Sequence, residues 1–132
     1  MSTYRTQSET EADGDILNAD CPSRTVLRHV TDRWAPMIIT VLSQENTVRF
    51  TQLKDFIGGI SGKVLTETLR SMERDGLIHR EVIPTIPPRV NYSLTNLGHS
   101  VVEPIQALRH WAEKHVTIIE QHREKYDAQT VK

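Results

Sequence analysis

The sequence predicts a mainly α-helical domain with a small β-hairpin wing (α+β), folded as a winged helix-turn-helix. Two short helical patterns flank the glycine pair in "FTQLKDFIGGISGKVLTETLRSMERDG", and two β-prone runs, "LIHREVIP" and "RVNYSLT", follow directly. A hairpin placed directly after a helix-turn-helix is typical of a winged helix. An apolar stripe near the C-terminus predicts a further, longer helix.

Chain length and charge distribution favour one domain with terminal tails. The 132 residues suffice for one hydrophobic core but not for two independent folds. Residues 1–20 contain one arginine against five acidic residues, which predicts a disordered acidic tail, and residues 127–132 are expected to form a short second tail. The whole chain has a net charge of −1, but without residues 1–20 it is +3, because 15 basic residues then oppose 12 acidic ones. The charge is therefore compatible with a nucleic-acid partner.

Cysteine content and hydropathy predict a cytoplasmic protein. Cys21 is the single cysteine and cannot form an intramolecular disulfide, and no apolar N-terminal stretch resembles a signal peptide. No run of residues is long and apolar enough to cross a bilayer, so we expect no membrane partner.

Helical spacing predicts two helices before the helix-turn-helix. Pro22 suits a first helical position, which places Cys21 at or beside the N-cap, and the pattern extends to about Arg33. A second helix follows Pro36. Its residues 37–42 are apolar almost all round, which predicts burial on most sides.

Capping residues and glycines mark the limits of the helix-turn-helix. Thr51 is the expected N-cap of its first helix, after a short extended piece at residues 48–50. Ser61 is the expected N-cap of its second helix, and Gly76 ends that helix. The apolar residues expected to face the core from the second helix are Leu65, Leu69 and Met72.

A long C-terminal helix over residues 96–126, continuous with the domain, is predicted to form a dimer. Thr95 is its expected cap, and a kink is expected at Pro104. Its apolar stripe consists of Leu97, Val101, Ile105, Leu108, Trp111 and Ile118. The stripe either packs on a second copy, which would place two recognition helices about one DNA turn apart, or merely completes the core of the monomer.

The exposed face of the second helix of the helix-turn-helix is the main candidate for DNA contact. This face carries Lys63, Thr66, Glu67, Arg70 and Arg74. Lysine and arginine bind phosphates and guanine edges, while threonine and glutamate can contact thymine methyl and cytosine amino groups in the major groove. The alternative is an ordinary solvated helix surface.

Two neighbouring positions are further candidates for DNA contact. Arg89 lies at the hairpin tip beside two prolines, where it could enter a narrow minor groove or bind phosphates, or simply form part of a rigid surface turn. Thr51 and Gln52 could meet phosphates at a helix N-terminus, although Thr51 could serve only as a cap.

Metal binding and catalysis are not expected. His110, His115 and His122 are spaced by five and seven residues, which does not give the i,i+4 pair of a helical metal site. Cys21 lies at the edge of the fold, and no catalytic or nucleotide-binding fingerprint is present. We therefore predict neither a cofactor nor an enzymatic activity.

These segments together resemble the HxlR-type winged-helix transcription regulators, relatives of the MarR-like group. The resemblance rests on "CP" before a helix ending in "RW", on "RFTQLKDFIGGISGKVLTETLRSMERDGLIHREV" and on "PPRVNYSLTNLGHSV". It implies a DNA-binding domain of residues 21–116, with the first and last helices as flanking dimerisation helices. It also implies that the homodimer binds double-stranded operator DNA as a repressor or activator, with the helix from Ser61 to Arg74 as reader and Arg89 at the wing tip. One departure is "TDRW", where members usually have a glycine-containing turn.

Several members of this family use a cysteine at the position of Cys21 to sense oxidants, quinones or aldehydes, which implies a small electrophile or oxidant as a further partner. A helix N-terminus, Arg24 and Arg28 would lower the pKa of the thiol, whereas Asp20 and burial would raise it. With one cysteine per chain, oxidation could act through an adduct, a mixed disulfide or a bridge between two copies of Cys21.

The sequence thus predicts a homodimeric, DNA-binding transcription regulator. Two alternatives are a winged-helix module for protein contacts without DNA binding and an ArsR-like metal-responsive repressor.

Overall fold

Helices dominate the fold of the chain, in a computed structural model that describes residues 13–130. The helices are α1 (Ser23–Val30), α2 (Ala35–Gln44), α3 (Phe50–Phe56), α4 (Gly62–Arg74), α5 (Asn96–Ser100) and α6 (Val102–Thr130). The strands are β1 (Val48–Arg49), β2 (Ile78–Ile83) and β3 (Arg89–Leu94). This order confirms the predicted fold class, a winged helix-turn-helix with a small antiparallel sheet.

The sheet contains the predicted hairpin and one added strand. Its spatial order is β1-β3-β2, and both pairings are antiparallel. β2 and β3 pair from Ile78 with Leu94 to Ile83 with Arg89, so residues 84–88 form the tip of a wing. The extended piece predicted before α3 forms β1, which pairs with the middle of β3 and joins the helix-turn-helix to the wing.

The core lies between α2, α3, α4 and the inner face of the sheet. The predicted core positions of α4 are confirmed, since Leu65, Leu69 and Met72 are all buried. The prediction that α2 is buried on most sides is wrong at Met37, which is 46% exposed. Met37 lines an open groove between α2, the end of α3 and α6, so its side chain remains accessible to water.

The segment before α1 is exposed but makes regular hydrogen bonds. Residues 1–12 of the predicted acidic tail lie outside the described residues, and their disorder stays a prediction. Residues 13–20 form turns, and the Arg24 guanidinium donates to the carbonyl oxygens of Ile16 and Leu17 at 2.8 and 3.1 Å. This part of the predicted tail is therefore tied to α1.

Asp32 organises the turn between α1 and α2. Asp32 Oδ1 accepts hydrogen bonds from the backbone N–H groups of Trp34 and Ala35, at 2.8 and 2.6 Å. In the described residues only glycines have positive φ, so this turn needs no left-handed backbone. α1 consequently ends at Val30, before the predicted end near Arg33.

The helix-turn-helix begins differently from the prediction at one cap. Arg49, not Thr51, is the N-cap of α3, because β1 runs directly into the helix. The Gln52 side chain folds back, and its Oε1 accepts from the Arg49 N–H at 3.0 Å. The predicted cap of α4 is confirmed, since Ser61 Oγ accepts from the Val64 N–H at 3.1 Å.

The predicted C-terminal helix consists of two helices. The break lies at Val101, between α5 and α6, so the predicted kink at Pro104 is wrong. Pro104 is the third residue of α6, where backbone N–H groups have no partner within the helix and a proline costs little. α6 continues to Thr130, which brings residues 127–130 of the predicted tail into the helix. Within residues 13–130, no helix combines the length and apolar character that a membrane span requires.

α5 lies directly against the start of β2. Thr95 caps α5 as predicted, accepting from the Gly98 N–H at 3.0 Å, and its own N–H donates to the Leu77 carbonyl at 3.0 Å. A Cβ atom on Gly98 would stand against that same carbonyl oxygen. The close approach of α5 therefore requires glycine at this position.

Candidate nucleic-acid interface

α4 divides into a buried face and a charged, exposed face. Its apolar residues anchor it to the core, while Lys63, Glu67, Arg70 and Arg74 are exposed on the other side. Thr66 lies half-buried at the margin of this face. We call these five residues the reading face, and an exposed helix face of this composition can present side chains to a major groove.

The basic side chains of the reading face have no acidic partner within residues 13–130. The ion pairs there join His29 to Asp75, Arg80 to Glu73 and Arg109 to Glu113. Lys63, Arg70 and Arg74 belong to none of them. Their positive charge is therefore available for an external anion such as a phosphate.

A groove that contains two arginines lies between the wing and the start of α3. A groove of about 320 Å³ is lined by Arg49, Phe50, Thr51, Pro88, Arg89 and Val90. The predicted contacts Thr51 and Arg89 therefore line the same groove. Sequence reasoning missed Arg49, although its place directly before the predicted phosphate-binding residues was a signal.

Two predicted contact residues already take part in helix capping. Ser61 Oγ and Gln52 Oε1 each accept a backbone hydrogen bond at a helix start. The Ser61 hydroxyl hydrogen and the Gln52 amide N–H groups remain as donors, so both residues can still approach a phosphate oxygen. Capping holds these side chains in one orientation.

Cys21 lies two residues before α1, partly exposed, and its sulfur accepts several hydrogen bonds. The donors are the Ser23 hydroxyl at 3.1 Å, the Asp15 N–H at 3.2 Å and the Ser23 N–H at 3.5 Å. The hydrogen bond from the Ser23 hydroxyl, followed by those from the two N–H groups, lowers the pKa of the Cys21 thiol, while desolvation and the Asp15 carboxylate oppose it weakly.

The predicted causes of this pKa shift are partly wrong. Arg24 binds the carbonyls of residues 16 and 17 and does not act on the sulfur, and the opposing carboxylate is Asp15 in place of Asp20. Hydrogen bonds from Ser23 at the start of α1, and a further one from Asp15, lower the thiol pKa in place of the arginines. Sequence alone does not place Asp15 beside Cys21.

The predicted dimerisation stripe is largely uncovered in the single chain. Ile105 is buried against the core, but Leu108 and Trp111 are each 56% exposed and Ile118 is 51% exposed. Val26 and Leu27 of α1 are exposed as well. Within residues 13–130, no three His, Cys, Asp or Glu side chains are arranged to hold a metal ion.

Comparison with known proteins identifies the family. The family model described as HxlR-like helix-turn-helix matches residues 29–120, which is well over half of the chain. The chain belongs to the HxlR-like family. The predicted resemblance is thereby confirmed, and this HxlR-like chain is a transcriptional regulator with a helix-turn-helix.

Individual relatives agree with this assignment. The HxlR-like chain is 44% identical over 106 residues to the HTH-type transcriptional regulator YtfH of Escherichia coli K12, a match that covers 80% of this chain and 83% of that protein. The solved structure of YtfH from Salmonella typhimurium matches with a TM-score of 0.79 and 40% identity, over 85% of this chain and 99% of that one. Both relatives are named as transcriptional regulators.

A third relative, YodB from Bacillus subtilis, has been solved both in a reduced form and after treatment with diamide. The diamide-treated form matches the HxlR-like chain with a TM-score of 0.61 and 31% identity, over 74% of this chain and 96% of that one. The reduced and diamide-treated forms are properties of YodB.

Proposed function

We propose that this regulator binds operator DNA sequence-specifically as a homodimer in the cytoplasm, and that modification of Cys21 changes its affinity for DNA. The observation that carries the proposal is the reading face of α4, whose basic side chains have no acidic partner among the described residues. A wing with Arg89 lies on the same domain. This combination supports DNA binding over a protein-contact role.

Each contact residue has a distinct chemical role in this proposal. Lys63 and Arg70 bind guanine edges or phosphates from within the major groove. Thr66 and Glu67 add contacts to a thymine methyl and a cytosine amino group. The capped starts of α3 and α4, with Thr51, Gln52 and Ser61, bind backbone phosphates, and Arg89 with Arg49 follows the flanking groove.

The uncovered apolar stripe supports a homodimer. Leu108, Trp111 and Ile118 lie on one side of α6 and are each more than half exposed, and clustered exposed apolar side chains are typical of an interaction surface. Two-fold symmetry is the commonest way to cover such a surface, and it places the two α4 helices on successive major grooves. The exposed apolar residues of α1 extend the same interface.

DNA binding is tested by a salt titration against duplex fragments selected from genomic DNA. We expect tight binding at low salt that weakens by about a thousandfold or more between about 50 and 200 mM salt, because phosphate contacts release counterions. Light scattering of the free protein should give the mass of two chains. A protein that shifts no fragment at low salt would contradict the proposal and favour the protein-contact alternative.

The environment of Cys21 supports an electrophile-responsive role. A lowered pKa increases the thiolate fraction at neutral pH, and the thiolate is the reactive form. The thiolate adds to an electrophilic carbon such as that of a quinone, forming a C–S bond, and the ring takes up a proton from water. The modified sulfur is a poorer acceptor for the Asp15 and Ser23 donors. Residues 13–20, which precede α1, are then held less firmly against it.

The pH dependence of alkylation tests this role. The rate of iodoacetamide reaction at Cys21 should reach its half-maximum below the pKa of an ordinary cysteine, and Ser23→Ala should move that midpoint upward because it removes the largest stabilising hydrogen bond. Thr25→Ala, on the exposed side of α1, serves as the control. If Cys21→Ser left quinone-induced release from DNA unchanged, Cys21 would not be the sensor.

A further inference from the structure

A polar cluster joins α1 to the C-terminal end of the reading helix. His29 Nδ1 lies 2.6 Å from Asp75 Oδ2 and 3.4 Å from Ser71 Oγ. The two side chains of the pair are only 20% and 22% exposed. His29 belongs to the last turn of α1, and Asp75 is the C-cap of α4. The cluster therefore connects two helices that lie far apart in the sequence.

The geometry of the cluster is that of a structural contact between two helices and not that of a catalytic site. Both contacts involve the same ring nitrogen, whereas a Ser-His-Asp catalytic arrangement uses one ring nitrogen for each partner. A carboxylate can only accept, so we assign the proton to Nδ1 of His29, which donates it to Asp75. The hydroxyl of Ser71 adds a second, longer contact to the same N–H.

The position of Asp75 is unfavourable for α4 taken alone. A carboxylate at a helix C-terminus lies near the negative end of the helix dipole, which favours basic residues there. His29 offsets this cost, and Asp75 in turn keeps α1 against α4. The pair thus serves the arrangement of the two helices more than the stability of either one.

α1 has few other attachments. Val30 is its only buried residue, while Val26 and Leu27 are about half exposed. In the described part of the chain, no other side-chain hydrogen bond joins α1 to α4. Because three buried residues already hold α4 in the core, the His29–Asp75 pair fixes where the weakly attached α1 lies relative to α4.

We propose that His29 is a positioning residue for DNA reading: by binding Asp75 it holds α4 at a defined angle to α1. The proposal rests on the proposed function, because it concerns how well the reading face fits operator DNA. In a homodimer that α1 helps to form, the same contact relates the interface to the two reading helices. His29 itself touches no DNA in this arrangement.

A double-mutant cycle on the full-length protein tests the link, with binding to the selected genomic fragment and to a random duplex as readouts. His29→Ala and Asp75→Ala should each weaken fragment binding by about tenfold, with less effect on the random duplex, which depends on charge and not on fit. The double variant should bind no worse than either single variant, because all three lack the same contact. His29→Arg should restore binding, since a guanidinium also donates to a carboxylate.

Three results would overturn this proposal. The first is that His29→Ala binds the fragment as tightly as the wild type. The second is that the variants lose fragment binding and random-duplex binding in equal proportion. The third is that His29→Arg binds the fragment no better than His29→Ala. Thermal unfolding of each variant, with Thr25→Ala as the control on α1, separates a positioning role from simple loss of folded protein. A wild-type protein that binds no fragment would instead remove the proposed function, and this inference with it.

Discussion

Gly98→Ala is expected to destabilise the fold by about 3 kcal/mol or more. The new Cβ would stand against the Leu77 carbonyl oxygen, which already accepts the Thr95 N–H, and 3.0 Å from Leu94 Cδ2. The carbonyl is held by the backbone on both sides, so α5 must move away from β2. Differential scanning calorimetry should show a midpoint lower by more than about 10 °C.

Gly58→Ala provides the matched control for this substitution. A Cβ at Gly58 meets no atom within 4 Å, and the residue does not have positive φ. We expect its stability to stay within about 0.5 kcal/mol of the wild type. If Gly98→Ala unfolded at the same temperature as Gly58→Ala, the close approach of α5 to β2 would be wrong.

Simultaneous replacement of Lys63, Arg70 and Arg89 by alanine should nearly abolish operator binding, with a loss of about a hundredfold or more. Lys63 and Arg70 lie on the reading face and Arg89 on the wing, and no acidic side chain among the described residues neutralises them. Fluorescence anisotropy at fixed salt measures the change. All three side chains are exposed, so the midpoint of thermal unfolding should stay near that of the wild type.

A second triple variant controls for the loss of positive charge. Arg33, Arg109 and Arg123 are exposed, lie outside the reading face and do not belong to the apolar stripe of α6, and their replacement by alanine removes the same charge. This variant should retain most of the operator affinity. Equal losses in both variants would mean that binding follows net charge alone, and the assignment of the contact residues would fail.

The helix-turn-helix and the wing could be predicted because their signals are local. Ser61 accepts the backbone hydrogen bond expected of an N-cap, and residues 65, 69 and 72 face the core at their helical spacing. Apolar and polar residues alternate along the two hairpin strands, and this period of two is likewise a short-range signal. The assignment of Thr51 as a cap failed because β1 pairs with β3, a contact between residues distant in sequence.

The candidate site was predictable in part for the same reason. The reading face follows from the period of α4, and Arg89 from its place beside the prolines of the wing tip. Arg49 was missed because the β1–β3 pairing, a contact between distant parts of the sequence, places it in the same groove as Arg89. The acceptor role of Cys21 toward Asp15 depends on turns that composition alone marked as a disordered tail.

Residue order within single turns, helices and hairpins was enough to predict the winged helix-turn-helix, the resemblance to the family and the charged face of α4. Tertiary structure decided which residues meet across long separations: Gly98 against Leu77, His29 against Asp75, and the groove that Arg49 shares with Arg89. Such long-range contacts depend on how whole helices and strands pack. Packing is a property of the entire core and cannot be predicted from a local sequence pattern.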